Sequence, residues 1–206
     1  MTQLDAIPAA ATLGFLYLSD NFAEDLDPIL DFFKSATGVP HWVGTVGVGV
    51  CATGVEYLEV PAMAVMLGEF DPADFQVLPL LRTPEDVAAL PLGPAYFAMV
   101  HGDPRNEQMQ QLIDALSARM SSGFVVGGLS SSRGAMPQIA DRQTAGGLSG
   151  VSFSENVQLA TRLTQGVSPL GPRHQITDGK KNIIATLDRR AALDVMKEEI
   201  GEVLAR

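Results

Sequence analysis

The sequence predicts an α+β fold with mostly antiparallel or mixed β-sheets flanked by about three helices. Apolar runs typical of strands and stripes of helical period occur in the order β-α-β-β-β-α, then four or five strands, then a helix. Strict alternation of strand and helix, which would indicate a doubly wound parallel sheet, is absent. Hydrophobic residues make up 46% of the chain and charged residues 18%, so the chain can bury a large core and is not intrinsically disordered.

The first predicted elements are a buried strand and a helix. Residues 13–18 form a short run of apolar and aromatic side chains, which is typical of a strand inside a core. Asp27 followed by Pro28 predicts a helix start, because proline at the first helical position removes no needed hydrogen-bond donor. Gly38 predicts the end of this helix, since glycine readily adopts the left-handed conformation of a helix terminus.

The middle of the chain predicts three more strands and a second helix. The strands are predicted from the apolar segments 43–50, 60–70 and 96–100. The stretch 71–94 contains several prolines and is interpreted as a connector with one helical turn. An apolar stripe of helical period then predicts a helix that Gly123 closes. The members of this stripe are Met109, Leu112, Ile113, Leu116 and Met120.

The last third of the chain is predicted to consist mainly of strands. The predicted strands are 124–127, 148–153, 157–163, 174–177 and 182–187. Residues 154–156 and 178–179 have the composition of hairpin turns. Asp188 is predicted to cap a terminal helix.

Length and charge limit the classes of protein that fit this chain. A length of 206 residues favours one domain, 1–206. The net charge is −10 and the pI is about 4.6, so we expect neither nucleic-acid binding nor membrane-surface binding. Segment 1–11 has no Lys or Arg, whereas a secretory signal begins with a basic region. The apolar stretches of the chain are far shorter than the roughly 20 residues of a membrane-spanning helix. We therefore expect a cytoplasmic protein.

Sequence motifs of catalysis are missing. The chain has no phosphate-binding G-x-x-x-x-G-K-[ST], no G-x-S-x-G and no H-E-x-x-H. Gly47, Gly49 and Ala52 match a dinucleotide fingerprint, but no helical stripe follows them, so a glycine-rich strand is the better interpretation. The single cysteine, Cys51, excludes an internal disulfide and is expected to be an inert core residue. We expect neither an enzyme nor a resident cofactor.

A long segment, 128–146, contains the first candidate binding residues. Ser130, Ser131 and Ser132 offer hydroxyl groups beside the flexible backbone of Gly128. Two arginines follow in the same segment, Arg133 and Arg142, which suggests a carboxylate or another anion as partner. A surface loop whose arginines pair with nearby acids such as Asp141 is the alternative interpretation.

The stretch 168–174 is the second candidate. Two prolines and a glycine stiffen the backbone before Arg173 and His174. Such a pair favours a bound carboxylate or phosphate, and the neighbouring guanidinium is expected to lower the pKa of the imidazole. A stiff β-turn without a ligand is the alternative.

Several motifs of the chain together have the pattern of a known family. The first half contributes Val43-Gly44-Thr45-Val46-Gly47-Val48, Glu56 and Pro61-Ala62. The second half contributes Gly127-Gly128-Leu129-Ser130-Ser131, Gly146 to Phe153, Gln165 to Thr177, Asn182 to Ile184, Leu187-Asp188 and Ala191 to Leu193. These motifs resemble the FIST N-terminal domain, a family named after F-box and intracellular signal transduction proteins. The similarity extends over nearly the whole chain, and its most specific part is the stretch 165–177.

The resemblance implies a sensory role, with a small ligand such as an amino acid and output through a separate signalling module. Some relatives are thought to bind haem and sense nitric oxide. This chain has Thr45-Val46 where the family often has cysteine-serine, and Ala191 where a proline is usual. Because no FIST C-terminal domain follows Arg206, we expect an isolated sensor half.

Three hypotheses for function follow. The first is a ligand-binding sensory module whose ligand is held by Gly128, Ser130, Ser131, Ser132, Arg133, Arg173 and His174. The second is a haem-binding gas sensor with His174 or His101 as axial ligand. The third is an interaction scaffold without a ligand, whose apolar face pairs with a C-terminal domain or with a second copy in a homodimer.

Overall fold

A computed structural model describes residues 7–52, 54–93, 95–161 and 171–201. These residues belong to two compact units, Met1–Leu159 and Ala160–Arg206. The single domain expected over 1–206 stays a prediction. Every helix in the described ranges is too short or too polar to cross a lipid bilayer.

The first unit contains three helices and eleven strands among its described residues. Its helices are α1 (Leu26–Thr37), α2 (Pro84–Ala89) and α3 (Met109–Ser117). Its strands are β1 (Leu13–Ser19), β2 (His41–Gly47), β3 (Gly49–Ala52), β4 (Val55–Leu58), β5 (Met63–Gly68), β6 (Phe75–Leu81), β7 (Phe97–Gly102), β8 (Phe124–Leu129), β9 (Gln138–Ala140), β10 (Gln143–Thr144) and β11 (Leu148–Phe153).

Two mixed sheets organise the first unit. One has the strand order β10-β9-β2-β1-β5, with β1 and β2 parallel. The other has the order β6-β11-β7-β8, with β7 and β8 parallel and the remaining pairs antiparallel. Strands β3 and β4 form a separate hairpin. These mixed sheets with their helices confirm the predicted α+β class.

The hydrophobic clusters show that the first unit has four layers. Leu16 and Leu18 of β1 pack with Leu26 and Leu30 at α1, on one face of the five-stranded sheet. Alternate residues of β1, β2, β7 and β11 meet in an aromatic cluster between the two sheets. Helices α2 and α3 cover the outer face of the four-stranded sheet. The order of layers is therefore helix, sheet, sheet, helix.

Strand β1 and helix α1 follow the sequence pattern closely. Because successive side chains of a strand point to opposite faces, the continuous apolar run of β1 supplies both the α1 layer and the inter-sheet core. Helix α1 ends at Gly38, whose φ of 72° is the left-handed conformation expected there. The predicted stop is confirmed. The predicted start is two residues late, because the helix begins at Leu26 after Asp25, and Pro28 is its third residue.

The predicted proline-rich connector 71–94 is wrong in one important respect, because it contains strand β6 as well as helix α2. Pro79 lies inside β6, which is an edge strand. Proline is tolerated there because the outer edge of a sheet needs no backbone donor. Residues 43–50, predicted as one strand, form β2 and the start of β3.

Other boundaries also differ from the predictions. The segment 128–146 contains the short strands β9 and β10, and residues 157–161 are irregular, with 162–163 outside the described residues. Residues 154–156 do not connect a hairpin, because the next strand in the described part of the chain is β12, which begins at Ile176. Helix α3 ends at Ser117, so Gly123 does not close it as predicted.

The second unit consists of a three-stranded sheet and one helix among its described residues. The elements are β12 (Ile176–Lys180), β13 (Ile183–Leu187), β14 (Arg190–Ala191) and α4 (Ala192–Ile200). The predicted turn at 178–179 lies within β12. The helix begins after Ala191, whereas Asp188 occupies a turn with a positive φ of 50° and is not the cap.

Candidate functional site

The carboxyl ends of both parallel strand pairs meet at one end of the first unit. The hydroxyl groups of Thr45 on β2 and Ser130 after β8 are 2.6 Å apart and join the two sheets. Nearby in the strands, the Tyr17 hydroxyl lies 3.1 Å from Nε2 of His101, again across the sheets. In open α/β sheets the carboxyl ends of parallel strands are a common place for ligands. This end of the unit is therefore the candidate functional site.

Four polar side chains lie between the sheets beneath this end, and we call them the inter-sheet polar cluster: Tyr17, His101, Gln138 and Ser149. His101 is only 3% exposed, and its ring meets that of Tyr17 edge-on at 5.4 Å. The Gln138 amide donates to the backbone oxygens of His101, at 3.1 Å, and Gly147, at 3.0 Å. The cluster thus ties β9 to the four-stranded sheet.

Three atoms of the cluster stand out because they are buried without a hydrogen-bond partner. Among the described residues these atoms are His101 Nδ1, Gln138 Oε1 and Ser149 Oγ. A buried polar atom without a partner costs about 1–3 kcal/mol. Three such atoms in one place are unusual for a packed interior.

Burial sets the charge of the cluster. It lowers the pKa of His101 to about 4 and raises the pKa of Tyr17 above its usual value of 10.0. Both side chains are therefore neutral near pH 7.

The depressed pKa of His101 predicts that the first unit loses stability in mild acid. The unfolded chain takes up a proton near pH 6.5 and the folded chain only near pH 4, so stability falls as the pH drops between these values. We expect a loss of about 2 kcal/mol between pH 7 and pH 5 from this residue. Urea unfolding at both pH values checks it, with His101→Gln as the comparison. An equal loss in both proteins would contradict the assignment.

The serine segment, residues 128–133, is held in place by the hydroxyl groups that were predicted to bind a ligand. Ser130 is 2% exposed, and its amide donates to the Gly102 oxygen while its hydroxyl meets Thr45. The Ser131 hydroxyl accepts from the Val48 amide at 3.1 Å. The Ser132 hydroxyl accepts from the Gly134 amide, and Gly128 is exposed on β8. The segment is therefore a fixed structure.

Arg133 approaches acids that are distant in sequence. Its amide donates to Asp20 Oδ2 at 2.9 Å, and its guanidinium lies 3.9 Å from Asp20 Oδ1 and 3.6 Å from Glu59 Oε1. Asp141, the acid suggested by sequence proximity, instead contacts His41 and the Trp42 amide. Of the two predicted loop arginines, Arg133 thus faces the region after β1, and Arg142 lies elsewhere in the unit.

Arg133 lines a cavity of about 340 Å³ where the chain leaves β1 and enters α1. The other lining residues are Asp20, Asn21, Ala23, Glu24, Asp25, Ser132, Gly134 and Ala135. One arginine and three acidic residues therefore line the same small space.

Arg173 and His174 lie in the second unit, so a site that combines them with the serine segment stays a prediction. His174 Nε2 is 2.5 Å from Glu199 Oε1, and Nδ1 is 2.6 Å from Asp188 Oδ2. These two carboxylates raise the pKa of His174, Glu199 contributing most. The expected lowering by Arg173 is therefore wrong, because the acids on both sides stabilise the protonated ring. Arg173 is exposed.

The two histidines proposed as axial ligands, His101 and His174, do not fit haem. Axial ligation needs a ring nitrogen directed into a space that holds a porphyrin. Both nitrogens of His174 contact carboxylates, and His101 is enclosed between the sheets. Among the described residues, no group of three His, Cys, Asp or Glu side chains is placed to hold a metal ion.

Sequence reasoning missed most of the inter-sheet polar cluster. Tyr17 stands two and four residues after Phe15 and Leu13, and this period of two was the one signal that it faces the same core. Gln138 and Ser149 carry no local signature, because the two sheets bring them together. Cys51, expected in the core, is exposed on β3, so that expectation was wrong.

A match to a protein family agrees with the sequence motifs. The family described as the FIST N domain matches residues 12–190. This range contains the inter-sheet polar cluster, the serine segment and the Arg133 cavity. No curated protein matches the chain.

Proposed function

Because the chain belongs to the FIST N domain family, a family of sensory and signal-transduction domains, we propose that it binds a small molecule and signals this to a partner domain. The role proposed is binding without catalysis, in the cytoplasm. The ligand proposed is a zwitterion of the amino-acid class. The observation that carries this proposal is the Arg133 cavity.

The size and position of the cavity suit such a ligand. About 340 Å³ is within the range of small-molecule sites. The cavity lies beside the carboxyl end of β1 and is walled on one side by the serine segment. A ligand there contacts residues of two parts of the chain that are more than one hundred positions apart in sequence, Asp20 and Arg133.

The charges of the lining favour a zwitterion over a simple anion. Asp20, Glu24 and Asp25 outnumber the single cation Arg133. A carboxylate without a compensating cation would be repelled by these acids. A ligand with both a carboxylate and an ammonium group satisfies the guanidinium and the acids together. The amino-acid class has both groups on one carbon.

The guanidinium of Arg133 can donate hydrogen bonds to a ligand carboxylate. Its distances of 3.9 and 3.6 Å to Asp20 and Glu59 exceed the 2.7–2.9 Å of charge-assisted hydrogen bonds. Its side chain is 56% exposed, so the fork of donors can turn toward the cavity. The backbone at Arg133 is meanwhile fixed by its bond to Asp20.

The serine segment gives binding a route to the rest of the unit. Ser130, three residues before Arg133, joins β8 to Thr45 on the other sheet. Ser131 contacts the amide of Val48, which precedes the β3–β4 hairpin. A ligand that moves Arg133 therefore acts on both sheets and on the hairpin, and a partner domain can detect that change.

Thermal unfolding with a panel of amino acids tests the proposal. We expect at least one amino acid to raise the Tm in a saturable way, because ligand binding to the folded state stabilises it. The same compound with its amine acetylated, or with its carboxylate converted to an amide, is expected to lose the effect. Each modified compound removes one half of the charge pair.

Arg133→Gln is the decisive variant and Arg189→Gln its matched control. Both remove one exposed arginine, but Arg189 lies in the second unit. We expect Arg133→Gln to weaken binding at least about tenfold, since a charge-assisted bond is lost. Arg189→Gln is expected to bind normally. An equal rise in Tm from the acetylated compound or from the amide, or full binding by Arg133→Gln, would refute the proposal.

A further inference from the structure

We propose that the first unit has a second binding site, specific for an oxyanion, in the groove between Arg82 and Arg142. The groove has a volume of about 560 Å³ and lies where the edge strands β6 and β10 of the two sheets approach. Its lining residues are Pro79, Leu80, Arg82, Arg142, Gln143, Thr144 and Ala145. Two guanidinium groups and no carboxylate are among them.

Arg82 is held at the groove by its own backbone. Its amide donates to Asp86 Oδ2 at 2.8 Å, the same oxygen that accepts from the Thr83 amide in the capping box at the start of α2. Its carbonyl accepts from the Asn106 side chain at 3.0 Å, and that same amide group also donates to the Gly146 oxygen. The guanidinium reaches the Ala145 oxygen at 3.5 Å. The position of Arg82 beside β10 is therefore built into the fold.

Arg142 is presented by a tight turn between β9 and β10. The Ala140 amide donates to the Arg142 oxygen at 3.0 Å, and Asp141 between them has a positive φ of 60°. This conformation is uncommon for a residue other than glycine. The Asp141 carboxylate is bonded to the Trp42 amide at 2.9 Å and lies 3.0 Å from His41 Nδ1. The acid next to Arg142 is thus occupied by other partners.

The side chains of the two arginines in the groove have no carboxylate partner among the described residues. The chain has 24 acidic and 14 basic residues, so basic side chains are the minority among its charged groups. Within the described ranges, the arginines in ion pairs are Arg105, Arg133 and Arg190. Arg82 and Arg142 pair with no carboxylate there, and they line the same groove.

The two arginines of the groove favour a negatively charged ligand with oxygen atoms as hydrogen-bond acceptors. Each presents a planar fork of donors that matches a carboxylate or a phosphate group. The exposed amide side chain of Gln143 adds further donors at the same place. The ligand is therefore an oxyanion, and a doubly charged one uses both arginines.

This site is independent of the proposed function. Its lining shares no residue with the Arg133 cavity. The two sites also differ in charge. Acidic residues outnumber the arginine in the lining of the Arg133 cavity, whereas the lining of the groove contains two arginines and no Asp or Glu. The ligands of the two sites are thus expected to differ, a zwitterion in one and an anion in the other.

Titration of the protein with pyrophosphate and with succinate, at constant ionic strength, tests the oxyanion site. Amide NMR spectra report both saturation and location, and we expect the largest shifts at Arg82 and at 142–145. Arg82→Gln and Arg142→Gln are each expected to weaken binding about tenfold. Arg189→Gln, with the same loss of charge in the second unit, is expected to bind as the wild type does.

The two probes also distinguish the chemical source of the anion. Binding of pyrophosphate alone assigns a phosphate ligand, and binding of succinate alone assigns a dicarboxylate. Both outcomes support the site. No saturable binding of either probe to the wild-type protein would overturn it, as would an equal weakening by Arg189→Gln. Because two separate variants remove one arginine each, misfolding of one leaves the other to decide.

Discussion

Replacing Trp42 by alanine is expected to destabilise the first unit by about 4 kcal/mol, which is typical of a large aromatic removed from a core. Trp42 on β2 is 0% exposed. Its indole nitrogen donates to the Val39 oxygen at 2.9 Å, and its ring packs against Phe33 of α1 at 5.7 Å. Gly14 on β1 lies against the indole ring, and a Cβ added there would be only 2.5 Å from it. The ring is therefore tightly packed and leaves no space beside it.

Urea unfolding measures this change, and Phe32→Ala provides the control. Phe32 is also an aromatic residue at the same layer, next to Phe33 on α1, but it is 66% exposed. We expect its removal to cost less than about 1 kcal/mol, since little area leaves water there. Similar losses in the two variants would show that Trp42 does not anchor α1 to the sheet.

Gly127→Ala is expected to cost about 3 kcal/mol, the effect of forcing an atom into packed backbone. An ideal Cβ at Gly127 would lie 1.8 Å from the carbonyl oxygen of Val100, its neighbour on β7. The φ of Gly127 is 150°, which side-chain-bearing residues rarely adopt. Strand β8 would have to shift away from β7, and the serine segment with it.

The neighbouring glycine gives a sensitive control for this prediction. At Gly128 an added Cβ meets nothing within 4 Å, so Gly128→Ala is expected to change stability by less than about 0.5 kcal/mol. Thermal or urea unfolding of the two variants separates them. Equal effects would mean that β8 does not approach β7 as closely as the structure has it.

The parts of the fold that were predictable from sequence are those fixed by local patterns. The apolar run of β1, the glycine at the end of α1, and the stripe of α3 each depend on neighbouring residues alone. Strand β6 was missed because Pro79 signals a break unless the strand is known to be an edge. Whether a strand is an edge depends on the whole sheet, which no local pattern contains.

The candidate site was predictable only in its chain segments. Glycines and serines singled out residues 128–133, but no sequence pattern showed that Ser130 contacts Thr45, a partner 85 positions away. Arg133 and Arg142 together suggested an anion partner because they share a loop, but they line different spaces in the structure. The inter-sheet polar cluster needs the register of five strands and lies beyond any sequence window.

Asp141 is a surface residue that connects three elements. Its carboxylate holds the Trp42 amide on β2, its backbone oxygen accepts from Lys34 of α1, and its turn joins β9 to β10. Its side chain is nevertheless 37% exposed. A ranking of positions by burial alone would class Asp141 as tolerant of substitution. Its hydrogen bonds to separate elements instead indicate that a substitution there would be costly.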